Sequence, residues 1–373
     1  MPRQVIGVIG ALSDDTILIT RRPLNHGTTV DAAYSTELGG RAANVAIAIS
    51  RSCREKPPID DGLLLEDHVD QNDDEIPEVR MVAAVVDGRR REEFSRWLRR
   101  NGVNADGVEV VEGEQKEQDK LTSIFDGEIG RTQSISSKGV SQNWTVGQFD
   151  TIERLGGGVR PDLVVLTMEL HRDVVEHVIN LASDEGVAVL VYAAPGSVLL
   201  ADRYRKIEHL IGGDGDVAII LGYGTDELKI DVWPEMCEQL YSHKGIKNVV
   251  LKTGHFGAFI KNEDDEGFTS GYQTKGDVVD SSGSTATFVG IYAAQLVLRK
   301  NGWDIRAATE KANKANAICS TKVGYKDAVP WANELADFKL EALYDTIDDL
   351  KKRPKTKKSL PWQAKGSVPK GSH

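Results

Sequence analysis

Short apolar runs that end in glycine or small polar residues recur along the chain, and most are followed by a stretch with helical spacing. Val5–Ile9 is such a run, closed by Gly10-Ala11, and an unbroken apolar run of this length predicts a strand buried on both faces of a parallel sheet. Residues 79–86, 161–168, 187–192, 217–221 and 248–252 repeat the pattern. The last four end at Glu169, Ala193-Ala194-Pro195-Gly196, Gly222-Tyr223-Gly224-Thr225-Asp226 and Thr253-Gly254-His255-Phe256-Gly257. Residues 90–101, with Phe94, Trp97 and Leu98, and residues 173–183 have amphipathic helical spacing. The alternation predicts an α/β fold, a mostly parallel central sheet with helices on both faces. Ligands of open sheets bind outside the carboxyl ends of the strands, so the polar and glycine-rich ends are where a site is expected.

A second, looser pattern of β-branched residues covers 16–19, 27–36, 121–125 and 132–135, and predicts exposed strands, the last two as a hairpin around Asp126-Gly127. Residues 54–78 are polar and acidic, with Pro57-Pro58 and Asp73-Asp74-Glu75, and read as a surface insertion. A terminal helix is expected after Trp331. The basic run 351–358 lies in a tail, 346–373, that reads as disordered.

Two stretches share one local design, a small-residue turn running straight into an apolar helix. In 277–298, the loop 281–287 leads to Phe288, Ile291, Ala294 and Leu298 on one helical face. In 38–50, Gly39-Gly40 leads to Arg41-Ala42-Ala43-Asn44, with Asn44 one turn inside the helix. The first amides of such a helix lack intrahelical partners and carry the positive end of its dipole, the physical basis of an anion site. A capped core helix after a glycine turn has the same local sequence, and the stretch alone leaves both readings open.

Composition narrows the function classes. The net charge is −11, with Lys and Arg scattered and a pI near 5.3, which argues against nucleic acid and anionic membrane as partners. Cys53, Cys237 and Cys319 are far apart and lack metal-ligand spacing, as expected of reduced thiols in a cytoplasmic protein. No apolar run is long enough to span a bilayer, and the start has no apolar signal region.

Asp280-Ser281-Ser282-Gly283-Ser284-Thr285-Ala286-Thr287-Phe288 resembles the Asp-Thr-x-Gly-Ala-Gly-Asp-x-Phe signature of the ribokinase-like (PfkB) carbohydrate kinases, with Ala286 at the position of the family's catalytic Asp. Gly39-Gly40-Arg41-Ala42-Ala43-Asn44 is similar to the family's Gly-Gly-Lys-Gly-Ala-Asn. Lys252-Thr253-Gly254-His255-Phe256-Gly257 is similar to its Thr-Leu-Gly-x-x-Gly, and Gly324 to Trp331 to its Gly-Ala-Gln-x-Ser-x-Pro-Trp. The matches keep family order over residues 5–340. They imply a three-layer ribokinase-like domain, 1–345, with a small β lid built from segments near 16–36 and 121–135.

The resemblance also implies roles. Asp15, Gly40, Arg41, Asn44 and Glu169 would bind a sugar or polyol; Lys252, Thr253, Gly254, Gly257 and Asn313 would bind ATP; and Gly283, Ser284 and Thr285 would hold the transferred phosphoryl beside Ala286. Asp226 and Asp280 would serve Mg²⁺ and a monovalent cation. Departures gather on the phosphate side. Tyr223-Gly224-Thr225-Asp226 stands for the family's Asn-x-x-Glu, Tyr192-Ala193-Ala194-Pro195 for Asn-Pro-Ala-Pro, and Ala328 for a Ser. The implied protein is a sugar-kinase homologue impaired or silent in phosphoryl transfer; the alternatives are a low-efficiency kinase and a different enzyme or binding protein reusing the sugar crevice. Exposed lid strands imply a homodimer through the lid.

Overall fold

The computed structural model describes residues 3–20, 29–56, 75–126, 131–194, 197–224, 230–273, 283–298, 302–322, 324–325, 328–337, 340–344 and 346–352. Apart from shorter helical turns, the chain runs β1 (Val5–Ile9), β2 (Ser13–Thr20), β3 (Ala32–Gly39), α1 (Arg41–Ser52), β4 (Glu78–Val85), α2 (Gly88–Arg99), β5 (Val103–Val110), β6 (Asp119–Asp126), β7 (Arg131–Ser137), β8 (Leu163–Thr167) and α3 (Arg172–Asp184). It continues through β9 (Ala188–Tyr192), β10 (His209–Gly213), α4 (Asp214–Leu221), β11 (Asn248–Lys252), β12 (Gly257–Lys261), β13 (Glu266–Ser270), α5 (Ser284–Leu298) and α6 (Ile305–Cys319).

The unbroken apolar runs form the middle of a nine-stranded sheet in the order β13-β12-β11-β10-β9-β8-β1-β4-β5. Every residue of β8 and β11 is buried, which is why these segments show no polar alternation. From β5 to β11 neighbouring strands are parallel; β12 and β13 close the other edge as antiparallel strands. The chain leaves β1 for β4 and β5 on one side, then returns to β8 on the other, so the strand order reverses at β1 and β8. Right-handed crossovers taken in opposite directions from that point put α1 and α2 on one face and α3 and α4 on the other. A second, four-stranded sheet, β3-β2-β6-β7, is the small β lid. Its rows alternate in direction: Glu37, Asp15, Leu121 and Ser136 share one face, and Tyr34, Leu18 and Ile124, with Ile135, share the other.

One expected strand is a helix. Residues 217–221 belong to α4, and the strand that pairs there is β10, eight residues earlier. Val217-Ala218-Ile219-Ile220-Leu221 is apolar without interruption, and such a run cannot be told from a strand by periodicity. The flanks carry the helix signal: Asp214 and Asp216 complement the dipole in the first turn, and Gly222 caps the other end at φ 80°. After Trp331 the expected helix is short, Ala332–Asp337, with a further turn at Ile347–Lys352. Residues 57–74 of the acidic stretch, the 127–130 turn and 353–373 lie outside the described residues.

α1 and α5 pack at close range. A Cβ added at Gly290 would lie 2.7 Å from Val45 O and 3.0 Å from Ile49 N, both backbone atoms of α1. Gly290→Ala gains about 1 kcal/mol of helix propensity and forces the helices apart at a cost of roughly 1–3 kcal/mol. A net loss of about 1 kcal/mol is expected, read as a lower urea midpoint with an unchanged m-value.

Candidate active site

Glu169 sits where the strand order reverses, two residues past the end of β8. Its Oε1 accepts from Ala11 N at 2.9 Å and from Thr167 Oγ1 at 3.0 Å, and its Oε2 accepts from Arg41 Nη1 at 3.2 Å. These bonds tie the ends of β1 and β8 to the first residue of α1. Burial pushes the Glu169 carboxyl up from its ordinary range, opposed by Arg41 and the bonds from Ala11 and Thr167.

Asp15, on β2, joins the same group. It accepts from Ser13 Oγ and from the Gly40 amide. Gly39 is required for this approach, because a Cβ there would overlap the Asp15 carboxylate. Burial is the largest influence on Asp15 and pushes its pKa up to about 7, against the Ser13 and Gly40 bonds and aided by Glu169. Asn44 is buried, and its Oδ1 has no hydrogen-bond partner among the described residues. A small pocket, partly open to solvent, lies between Arg41 and Glu169 and the lid. Ser13, Arg41 and Glu169 form its floor, and Lys120, Ser136 and Lys138 part of its lid side. Asp119, also on its wall, is occupied structurally, accepting from the amides of Gly139 and Ser141 at 3.0 Å each.

The second glycine turn reaches the same crevice. Gly283 has φ +74°, and a side chain there would run into the ring of Tyr325. Tyr325 is buried; its hydroxyl donates to the carbonyl of Asn44, and its amide donates to Glu37 Oε2 at 3.2 Å. One tyrosine thus links the start of α5 to α1 and to lid strand β3. Ser284 and Ala286 are buried in the first turn of α5, and Thr287 donates to Cys319 Sγ at 3.4 Å. Asp280, Ser281 and Asp226 lie outside the described residues.

Further along the row of strand ends, Tyr192 is buried at the end of β9, Asp214 and Asp216 open α4 after β10, and Lys252 ends β11 in register with Gly213. Arg41 lies in the field of both Glu169 and Asp216. Lys252 is buried, which pushes its ammonium down to about 8 against the charge of Asp214. Thr253 N and Oγ1 both donate to Gly257 O at 2.9 Å, closing the Gly254 turn. Asn313 spends its amide on β13, donating to Ser270 O at 3.1 Å and Thr269 Oγ1 at 3.2 Å. The Tyr223 hydroxyl bonds Gln239 at 2.8 Å and Glu235 at 3.2 Å, away from the row of strand ends. Sequence reasoning gave no role to Asp214, Asp216 or Tyr325. The first two had a signal, Gly212-Gly213-Asp214-Gly215-Asp216 before an apolar helix; Tyr325 had none, since its partners are distant in the chain.

In a two-directional α/β sheet, ligands bind outside the strand ends at the switch point, where Glu169 and Arg41 lie. The model for the pfkB family carbohydrate kinases matches residues 4–332, and the chain belongs to that family. Ribokinase of Schizosaccharomyces pombe is 24% identical over 329 residues, covering 87% of this chain and 94% of the relative. Among solved structures, ribokinase of Cryptococcus neoformans in complex with ADP superposes with a TM-score of 0.69 at 16% identity, covering 90% of this chain and 99% of that one. Arabidopsis thaliana ribokinase complexed with ribose and ATP gives 0.67 at 17% identity, covering 91% and 100%. The ribokinase-like fold expected from the sequence is the fold found.

The raised Asp15 pKa sets a pH dependence. Its folded value, about 7, exceeds its ordinary 3.8, so its contribution to stability is present below the ordinary value and is lost as pH rises through 7. Asp15→Asn does not titrate. Relative to the parent it should gain stability from pH 5 to pH 8, by at most about 3 kcal/mol, measured as the pH dependence of the difference in urea midpoints.

Proposed function

We propose that this chain is a ribokinase-like sugar-kinase homologue that holds a sugar or polyol and a nucleotide in one crevice and transfers phosphate poorly or not at all. The observation that carries the reading is Ala286, a buried methyl in the first turn of α5, where the family resemblance has a carboxylate. A carboxylate at that helix start would take the proton of the attacking hydroxyl while the first amides of α5 stabilise the transferring phosphoryl. Alanine supplies no proton acceptor. On the sugar side, Asp15, Gly40, Arg41, Asn44 and Glu169 converge, and carboxylate and amide groups so placed can satisfy several hydroxyls together. The free Asn44 Oδ1 is an acceptor suited to one of them.

Ribose and ATP, bound by the Arabidopsis relative, and ADP, bound by the Cryptococcus relative, are the first ligands to test. Lys252, Thr253, Gly254 and Gly257 would border the nucleotide, and Gly283, Ser284 and Thr285 its terminal phosphate. When bound, Mg²⁺ would neutralise phosphate charge. Among the described residues no three acidic, His or Cys side chains form a metal-holding group; Asp226 and Asp280, which the resemblance gives to the cations, lie outside them. Asp15 favours the alternative of a slow kinase: a carboxyl near 7 in the crevice can accept a proton, though from the lid side.

A base is worth roughly a hundred- to ten-thousandfold in rate. Ala286→Asp should therefore raise ATP-dependent phosphorylation of ribose or a related polyol by at least tenfold, followed as ADP release and as phosphorylated product. Brisk turnover by the unaltered chain, or no gain in the variant despite measured binding of both ligands, would refute the reading.

The lid supports a homodimer as an extension. Its outer face carries Tyr34, 75% exposed, and Ile135, 65% exposed, beside Leu18 and Ile124. A two-fold contact through this face predicts a doubled solution mass at micromolar concentration, and Tyr34→Glu with Ile135→Glu should return it to that of one chain.

A further inference from the structure

Lys138 follows β7 on the lid side of the small pocket, across from Arg41 and Glu169. Side chains alternate along β7. Ser136, two residues earlier, lies opposite Leu121 and on the lid face that carries Asp15, so Lys138 continues the row that looks into the crevice. Its backbone is fixed. Gly139 donates its amide to Asp119 Oδ1 at 3.0 Å, Val140 donates to Glu117 O at 2.8 Å, and a Cβ added at Gly139 would lie 2.4 Å from that same carbonyl oxygen.

The charged groups around the pocket are unequally committed. Glu169 accepts from Ala11, Thr167 and Arg41, and Asp119 accepts from the amides of Gly139 and Ser141 and from the Ser141 hydroxyl. Lys120, also on the lid side, is paired with Glu117 at 2.6 Å. Two cations are less occupied. Among the described residues the Arg41 guanidinium makes one hydrogen bond, to Glu169, and the exposed Lys138 ammonium makes none. Most N–H groups of these two side chains are therefore open, while most lone pairs of the two carboxylates are taken. A neutral polyol is a poor match for such a wall, because each hydroxyl brings a proton that needs an acceptor. An anionic oxygen group brings acceptors alone.

We propose that this pocket selects a sugar or polyol that carries an anionic group, a carboxylate or a phosphate, held between Lys138 of the lid and Arg41 of α1. The proposal rests on the sugar-binding reading of the crevice and names the class of substrate. Arg41 is already oriented by Glu169, and Lys138 stands on an anchored backbone, so little further ordering is needed to bring the two cations to one anion. A charge-assisted bond of this kind is commonly worth about tenfold in affinity. The hydroxyls of the same ligand would fall to the acceptor positions left on Asp15 and Glu169.

D-Ribose, D-ribonate and ribose 5-phosphate share a polyol frame and differ in charge. Calorimetry with the full chain at low salt should show at least one of the two anions bound about tenfold more tightly than ribose, and which of them it is separates carboxylate from phosphate. Lys138→Met should lower this anion-to-ribose ratio about fivefold or more, Lys138→Arg should keep it, and added salt should reduce it in the parent. Because Lys138 is exposed, the variants should retain the parent's thermal transition. A ratio near one or below it in the parent overturns the proposal, and so does a ratio unchanged in Lys138→Met. Ribose bound without preference would leave the sugar-binding reading standing, whereas no binding of ribose or of either anion would remove both.

Discussion

The close packing of α1 against α5 is the constraint on which the crevice depends. Each helix begins at a glycine turn, and the two turns can serve one site only where both helix starts face the same space. Gly290 lets the two backbones meet at Val45 and Ile49, fixing the distance between helix starts that are more than two hundred residues apart in sequence. Tyr325 adds a second tie nearer the site, filling the space beside Gly283 and bonding the Asn44 carbonyl. Its amide bond to Glu37 carries the tie into the lid, so a displacement of α5 is felt on β3.

The Arg41–Glu169 pair has a different part. An ion pair this buried contributes little net stability, because removing two charges from water offsets their attraction. What it does is hold geometry. Glu169 is engaged by Ala11, Thr167 and Arg41 together, so β1, β8 and α1 keep one relation at the point where the strand order reverses. A carboxylate that is already oriented presents its remaining acceptor capacity to a ligand at little further ordering cost.

The parts legible in sequence were those whose physics is local. β1, β8, β9 and β11 are unbroken apolar runs because both of their faces are covered, and the two helix starts announce themselves as small-residue turns. β10 was missed because only Leu210 and Ile211 mark it as apolar between His209 and Gly212-Gly213, while the helix after it is richer in apolar residues than the strand. β5 is an edge strand carrying Asn104, Asp106 and Glu109, which hides the apolar pattern. Within the crevice, the meeting of Asp15, Arg41 and Glu169 was readable through the family resemblance, since each lies beside a strand end or a glycine turn. Asp216 was not, because the register of the α4 segment was misplaced by the same apolar run. Tyr325 could not be read at all: its role comes from Gly283, Asn44 and Glu37, and no local pattern brings those together.

The order of strand ends gives the crevice a direction. Glu169 follows β8, Tyr192 ends β9, Asp214 and Asp216 follow β10, and Lys252 ends β11. With neighbouring strands about 4.8 Å apart, Glu169 and Lys252 are separated by three steps, or roughly 15 Å. Acceptors gather at the β1 and β8 end, with Asp15 and Glu169, while the buried cation lies toward the other. A ligand that fits this gradient presents hydroxyl donors at one end and anionic oxygens at the other, across a span of that order. A sugar and a phosphate chain laid end to end have that polarity.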